Sequence, residues 1–257
     1  MQNPLLSVKI PGRTFQLPSK GLIYHNNELN ASVSEGEVHV HPLSALTELS
    51  LKNPDLLFNG KAIVSVCREC VPEVDSPLDL SSKDIDAILF FLRMVTYGSE
   101  YRIEVDHKCE GSKNHGYSVN LEGVLASCKY VDSTTFNPDE FVEIDGFKIY
   151  ARPIRFRDVI NLFQQTGNKK EFDEADIKLL AKTNLLSMIR KVNDTESPEH
   201  IAQWIETLTT PQVTKITEHA NKLNDWGLNH IVEIKCKDCG EIMNVELPLN
   251  PVNFFTE

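Results

Sequence analysis

The chain of 257 residues has no lysine- or arginine-rich block, no apolar run long enough to cross a bilayer, and only six cysteines. Each scarcity excludes a class of function. Affinity for nucleic acid comes largely from Lys and Arg neutralising phosphates. A formal net charge of −11, with 26 basic against 37 acidic residues, therefore argues against broad nucleic-acid binding. The short runs Lys169-Lys170 and Arg152 to Arg157 are too dilute to change that. The most apolar segment, residues 85 to 95, is broken by Asp86 and Arg93, so no membrane span is expected. Residues 1 to 17 lack the basic-then-apolar order of a signal peptide, and the expectation is a soluble intracellular protein. Six cysteines in this length are too sparse for a disulfide scaffold; they are better candidates for metal ligands or core. Catalytic signatures are missing as well. There is no P-loop pattern GxxxxGK(S/T), no GxGxxG after a strand, no HExxH and no GxSxG. The chain is read as a non-enzyme.

What remains is an ordinary globular composition, 41% hydrophobic and 25% charged, which can bury a core. Residues 1 to 42 read as an extended arm with short strands: residues 6 to 10 alternate, as do residues 37 to 41, and Pro11-Gly12 and Pro18-Ser19-Lys20-Gly21 are turn chemistry. Residues 43 to 154 read as helices plus a β-hairpin region. Residues 43 to 53 and 60 to 70 suggest helices. A clearer one opens at Ser81, which with Asp84 resembles a capping box, and places Ile85, Ile88, Leu89, Leu92 and Val95 on one face. Strand alternation over 101 to 105 and 117 to 121 frames a loop. Asp145-Gly146 is a strong two-residue hairpin signal. Residues 155 to 257 read as helices over 156 to 165, 173 to 191, 197 to 208 and 211 to 223, then a hairpin and a tail. The predicted fold class is α+β: helical blocks with short antiparallel hairpins, the C-terminal one resembling a zinc knuckle.

That hairpin carries the sharpest chemical signal, Cys236-Lys237-Asp238-Cys239-Gly240. Two thiolates three positions apart in a glycine-tightened turn can face one tetrahedral Zn²⁺. A redox CxxC usually opens a helix after a strand, whereas this one lies between two strands. The remaining ligands are expected from the similar strand-loop-strand of residues 101 to 121: Cys109 with His115, or with His107 instead, and Cys128 as a further candidate. The spacing Cys67-x-x-Cys70 falls on an amphipathic helix beside Ile63, Val64 and Val66 and reads as core.

Three segments together carry a resemblance. The first is FQLPSKGLIY (residues 15 to 24) with GEVHVHPL (residues 36 to 43). The second is residues 84 to 92 followed by RMVTYGSEY (residues 93 to 101). The third is Cys236-x-x-Cys239-Gly240 running into LPLNPVNFF (residues 247 to 255). In that order they resemble the baseplate hub proteins of T-even-like contractile-tailed bacteriophages. The resemblance implies a hub component or hub assembly factor whose partners are other baseplate hub or tail proteins. It would act in the host cytoplasm during assembly or in the virion tail baseplate, with homo-oligomerisation left open. Relatives often carry a CxxC in the first hairpin too, whereas Cys109 has no second cysteine three residues on. A zinc site there would thus need His107 or His115. The arm and tail, with Leu17, Leu22, Tyr24, Phe254 and Phe255, are expected to dock on partners while the zinc hairpin pins the C-terminus. The competing reading folds Phe254 and Phe255 into the chain's own core. The alternative function is a zinc-knuckle nucleic-acid-binding regulator, which would need a basic face that Glu233, Asp238, Glu241 and Glu246 work against.

Overall fold

The structure is a computed structural model and describes residues 11–24, 28–30, 33–107, 109, 115–166, 172–247 and 254–255. The strand read over residues 6 to 10 and the tail residues 248 to 253 lie outside them. Helices and short antiparallel sheets alternate along the chain, an α+β fold.

The centre of the molecule is helix α4, Ser82–Tyr97, in chain order the fourth after α1 (Ala45–Leu51), α2 (Pro54–Phe58) and α3 (Lys61–Cys70). Ser81 caps it by accepting from the Lys83 N–H at 3.2 Å, and Gly98, at φ +88°, ends it. Residues 87 to 92 are buried on every side, the pattern of a helix surrounded by its own domain rather than lying on the surface. The arm wraps this helix. Strands β1 (Arg13–Gln16) and β2 (Glu37–Val40) pair antiparallel, and Phe15 stacks on Phe91 with ring centroids 4.3 Å apart. Strands β3 (Glu100–Val105) and β4 (His115–Asn120) form a hairpin that helix α5 (Leu121–Ala126) follows. The same core takes in the C-terminal hairpin, β8 (Ile231–Lys235) with β9 (Ile242–Glu246), and Phe254 and Phe255.

A second core lies among β5 (Phe141–Ile144), β6 (Phe147–Ala151), β7 (Ile189–Val192), α7 (Glu174–Met188), α8 (Pro198–Ile205) and α9 (Thr210–Leu223). Helix α6 (Phe156–Thr166) joins the two. Its first N–H, that of Phe156, donates to Leu80 O at 2.8 Å, and Ile160 packs against the Gly60 turn. Asp145 and Gly146 have φ of +51° and +82°, as the two-residue hairpin turn requires.

Three local readings are corrected. The helix read over 43 to 53 is α1, Ala45–Leu51, and a short helix absent from that reading follows it: Asn53 accepts from Asp55 N and Leu56 N and starts α2 at Pro54. The helix read over 173 to 191 stops at Met188, because Ile189 to Val192 pair with β6 and bury Ile189 and Val192 beneath it. Finally, Asp84 does not close a capping box; its buried carboxylate accepts from the arm, from Ser19 N at 3.1 Å and from Tyr24 Oη–H at 2.6 Å. Cys67 and Cys70 are buried core thiols, raised by desolvation to about 12 and about 11 respectively.

The arm's turn is sterically exacting. Gly36 sits at φ +70°, and a Cβ there would lie 2.5 Å from Lys20 C and 2.6 Å from Lys20 Cα, backbone atoms that cannot swing aside. Gly36→Ala is expected to cost about 2–3 kcal/mol, read as a lower denaturation midpoint at unchanged m-value. Wild-type stability would mean that the turn rearranges freely.

Candidate metal centre

The two hairpins meet tip to tip. In the C-terminal one, Gly240 N donates to Cys236 O at 3.0 Å and Cys236 N to Glu241 O at 2.8 Å, with Gly240 at φ +78°. The turn is so tight that Cys236 and Cys239 share one side. Lys237 reaches across to the first hairpin: its N–H donates to Tyr117 Oη at 3.2 Å, and its Nζ to Gly116 O at 2.5 Å. His115 Nε2 lies 2.7 Å from Asp238 Oδ2. These contacts hold the start of β4 against the CxxC turn.

The result is a cluster of four ligating side chains, His107, Cys109, Cys236 and Cys239, with one donor atom from each lying within 4.8 Å of the others. Backbone N–H groups of Cys239 and Asp238 pull the Cys236 thiol down to about 7. Removal from water, with the neighbouring thiols adding to it, pushes Cys109 up to about 12. Three sulfurs so close, one poised to ionise and another resisting it, form a site that a cation would relieve. His107 Nε2 is shielded from water and makes no hydrogen bond among the described residues, although the Glu241 carboxylate lies 3.3 Å away. The donor set fits a metal ion.

The histidine in the cluster is thus His107, the alternative to His115, which is engaged by Asp238. Cys128 lies outside it; its sulfur faces Lys129 O at 3.8 Å, and burial raises its pKa to about 11. That Tyr117, Lys237 and the His115–Asp238 pair join the hairpins has no trace in the sequence. An exposed side-chain hydrogen bond and a lysine over a ring have no local signature.

Residues 43–256 match the family described as T4 bacteriophage base plate protein. The chain belongs to that family. No curated protein and no solved structure matches it. The His/Cys cluster and α4 fall inside the matched residues of this phage baseplate protein, while the arm precedes them and docks on α4. Among its described residues no helix is long and apolar enough to cross a membrane.

Within this baseplate protein the segments expected to touch partners are mostly spent internally, which corrects that expectation. Leu17 and Phe254 have no exposed surface and Phe255 has 1%, so their side chains cannot reach a partner while the chain is folded. Phe254 packs edge-on to Tyr101 with centroids 5.2 Å apart, and Tyr97 Oη–H donates to Phe255 O at 3.1 Å. Tyr24 is half-buried on Asp84 and Ser81, its hydroxyl accepting from Ser81 N at 2.9 Å. Leu22 alone of the five keeps partial exposure without such a bond. The three sequence segments that carried the resemblance therefore converge on one helix, α4.

Proposed function

We propose that the protein is a non-enzymatic component of the phage baseplate hub, or a factor in hub assembly, acting through contacts with other baseplate hub or tail proteins. It would work in the host cytoplasm during assembly and in the virion tail baseplate. The carrying observation is the family match over residues 43–256, which spans both cores. In the cleft of about 840 Å³ where the two cores meet, Arg152 pairs with Asp158 at 2.8 Å and Arg157 with Asp79 at 2.6 Å. An amber mutation in this gene is expected to yield lysates whose baseplates lack a complete hub by electron microscopy. Normal baseplates would refute the assignment.

The metal we assign is Zn²⁺. Three thiolates and one imidazole make a closed structural set, and soft sulfur favours zinc over oxygen-seeking cations. In a tetrahedral site sulfurs sit ~3.8 Å apart, so the cluster needs only a small contraction. Zinc would add cohesion at the tips of two hairpins that already share surface contacts and the first core. Elemental analysis of reduced, freshly purified protein is expected to give about one zinc per chain. Cys109→Ser, Cys236→Ser, Cys239→Ser and His107→Ala should each lose it and melt about 10 °C lower. His115→Ala and Cys128→Ser should keep it. Wild-type protein without zinc would remove this assignment.

A further inference from the structure

Behind the metal centre the two hairpins part, and a groove of about 770 Å³ opens between them. One wall is formed by residues 117–120 of β4 and the other by residues 231–235 of β8. Consecutive rather than alternate residues line both walls, so each strand turns its edge, not its face, to the groove. No β3 residue lines it, because β4 pairs with β3 on its far side; β8 likewise pairs with β9, from which Asn244, opposite Glu233, reaches the groove's rim. Among the described residues, no backbone hydrogen bond joins β4 to β8. The groove therefore lies between two half-paired edges, each presenting alternate N–H and C=O groups. Such edges are templates for another strand.

The occupant's chemistry follows. A helix has spent its backbone groups and offers nothing laterally, whereas an extended strand offers donors and acceptors on both sides. At standard strand and sheet spacings a strand fills roughly 160 Å³ per residue. The groove thus takes about five residues, the length of its own walls. Its floor is apolar, with Val119 and Val124 buried and Val232 packed on the same core, while Ser118, Glu233 and Lys235 stand exposed at the rim. The fitting segment alternates apolar and polar residues. A second copy of this chain is disfavoured by its own charge of −11.

We propose that this groove takes an extended strand of another baseplate or tail polypeptide, completing a sheet in the order β3-β4-strand-β8-β9. The source of the strand rests on the hub reading; the strand-binding chemistry does not. Gly123 supplies a selective test. It lines the groove from α5, and a Cβ built on it meets nothing within 4 Å. Gly123→Trp, whose Cβ is unobstructed, should plug the groove, and Gly123→Ala should leave it open.

The experiment probes a peptide array with the full chain and both variants. Half the array tiles the phage's baseplate and tail proteins, and half carries unrelated alternating sequences. Wild type and Gly123→Ala should bind the same tail segments. Gly123→Trp, or a proline in the middle of a bound peptide, should weaken binding about tenfold or more. Hydrogen exchange of the bound complex should slow at residues 117–120 and 231–235 together. Melting and zinc content check the fold of Gly123→Trp, with Asn244→Trp as the second plug should it fail to fold. No binding anywhere on the array, binding that both plugs leave intact, or protection of one wall alone would overturn the groove proposal. Failure of that kind with the chain still found in baseplates leaves the hub reading standing. Binding confined to unrelated sequences, by a chain absent from baseplates, overturns the hub source and keeps the groove chemistry. A dimer that Gly123→Trp dissolves would overturn the assignment to a different polypeptide.

Discussion

Replacing Phe254 and Phe255 together with alanine is expected to abolish cooperative unfolding, leaving a chain without fixed tertiary packing at neutral pH. Both rings are buried in the first core, Phe254 against Phe90 at 6.1 Å and Tyr101 at 5.2 Å between centroids. Each Phe→Ala change in a core typically costs about 3–5 kcal/mol through lost transfer energy and the cavity left behind. The rings also touch each other, at 5.5 Å between centroids, so the two losses are not simply additive. Even so, their combination is comparable with the roughly 5–15 kcal/mol that holds a whole domain folded. Phe254→Leu keeps most of the volume and should cost only about 1–1.5 kcal/mol. Calorimetry and near-ultraviolet circular dichroism check this. A double variant that melts as sharply as wild type would mean that the tail is not core, and would return it to partner docking. A truncation that removes these residues would therefore act by unfolding the protein, not by erasing an interface.

What could be read beforehand was chemistry confined to a few neighbours in sequence. Asp145-Gly146 specifies its hairpin because a two-residue turn needs positive φ at both positions. Ser197-Pro198 starts α8 because cap and fixed φ lie side by side. The CxxC turn was legible for the same reason. The unread parts depend on a distant partner. Ile189 to Val192 continue a helical pattern in isolation and become a strand only because β6 offers an edge some forty residues earlier. The choice between His107 and His115 is invisible in a shared loop; it is made by where Asp238 and Glu241 fall on the opposing turn. Phe254 and Phe255 read equally as an exposed anchor or as core until Phe90 and Tyr101 are placed beside them. Asp84 is the sharpest case, since a carboxylate three residues after a serine is normal at any helix start.

Asp84→Ala is accordingly expected to cost about 3–5 kcal/mol, far more than the loss of an N-terminal helix carboxylate. The side chain is fully buried and holds Ser19 N and Tyr24 Oη, so its removal leaves two arm donors without an acceptor. Tyr24→Phe removes one of those bonds and should cost about 1.5–3 kcal/mol, with a positive coupling to Asp84 in a double-mutant cycle. The pH dependence has a definite sign. Desolvation raises the folded-state pKa of Asp84, with the hydrogen bonds from Ser19 and Tyr24 opposing the shift. In the unfolded chain the group ionises near pH ~4. A carboxyl that holds its proton more tightly when folded contributes stability that is complete below that value and is lost as pH rises through the higher folded one. Wild type should therefore gain on Asp84→Asn as pH is lowered from 7 towards 4, since the amide cannot titrate. A gap that narrows instead would mean that the two donors outweigh burial. The arm supplies an independent readout: in Asp84→Ala the bond after Lys20 should become open to trypsin while zinc content stays unchanged. If stability falls and Lys20 stays protected, the stack of Phe15 on Phe91 holds the arm, and Asp84 serves α4 alone.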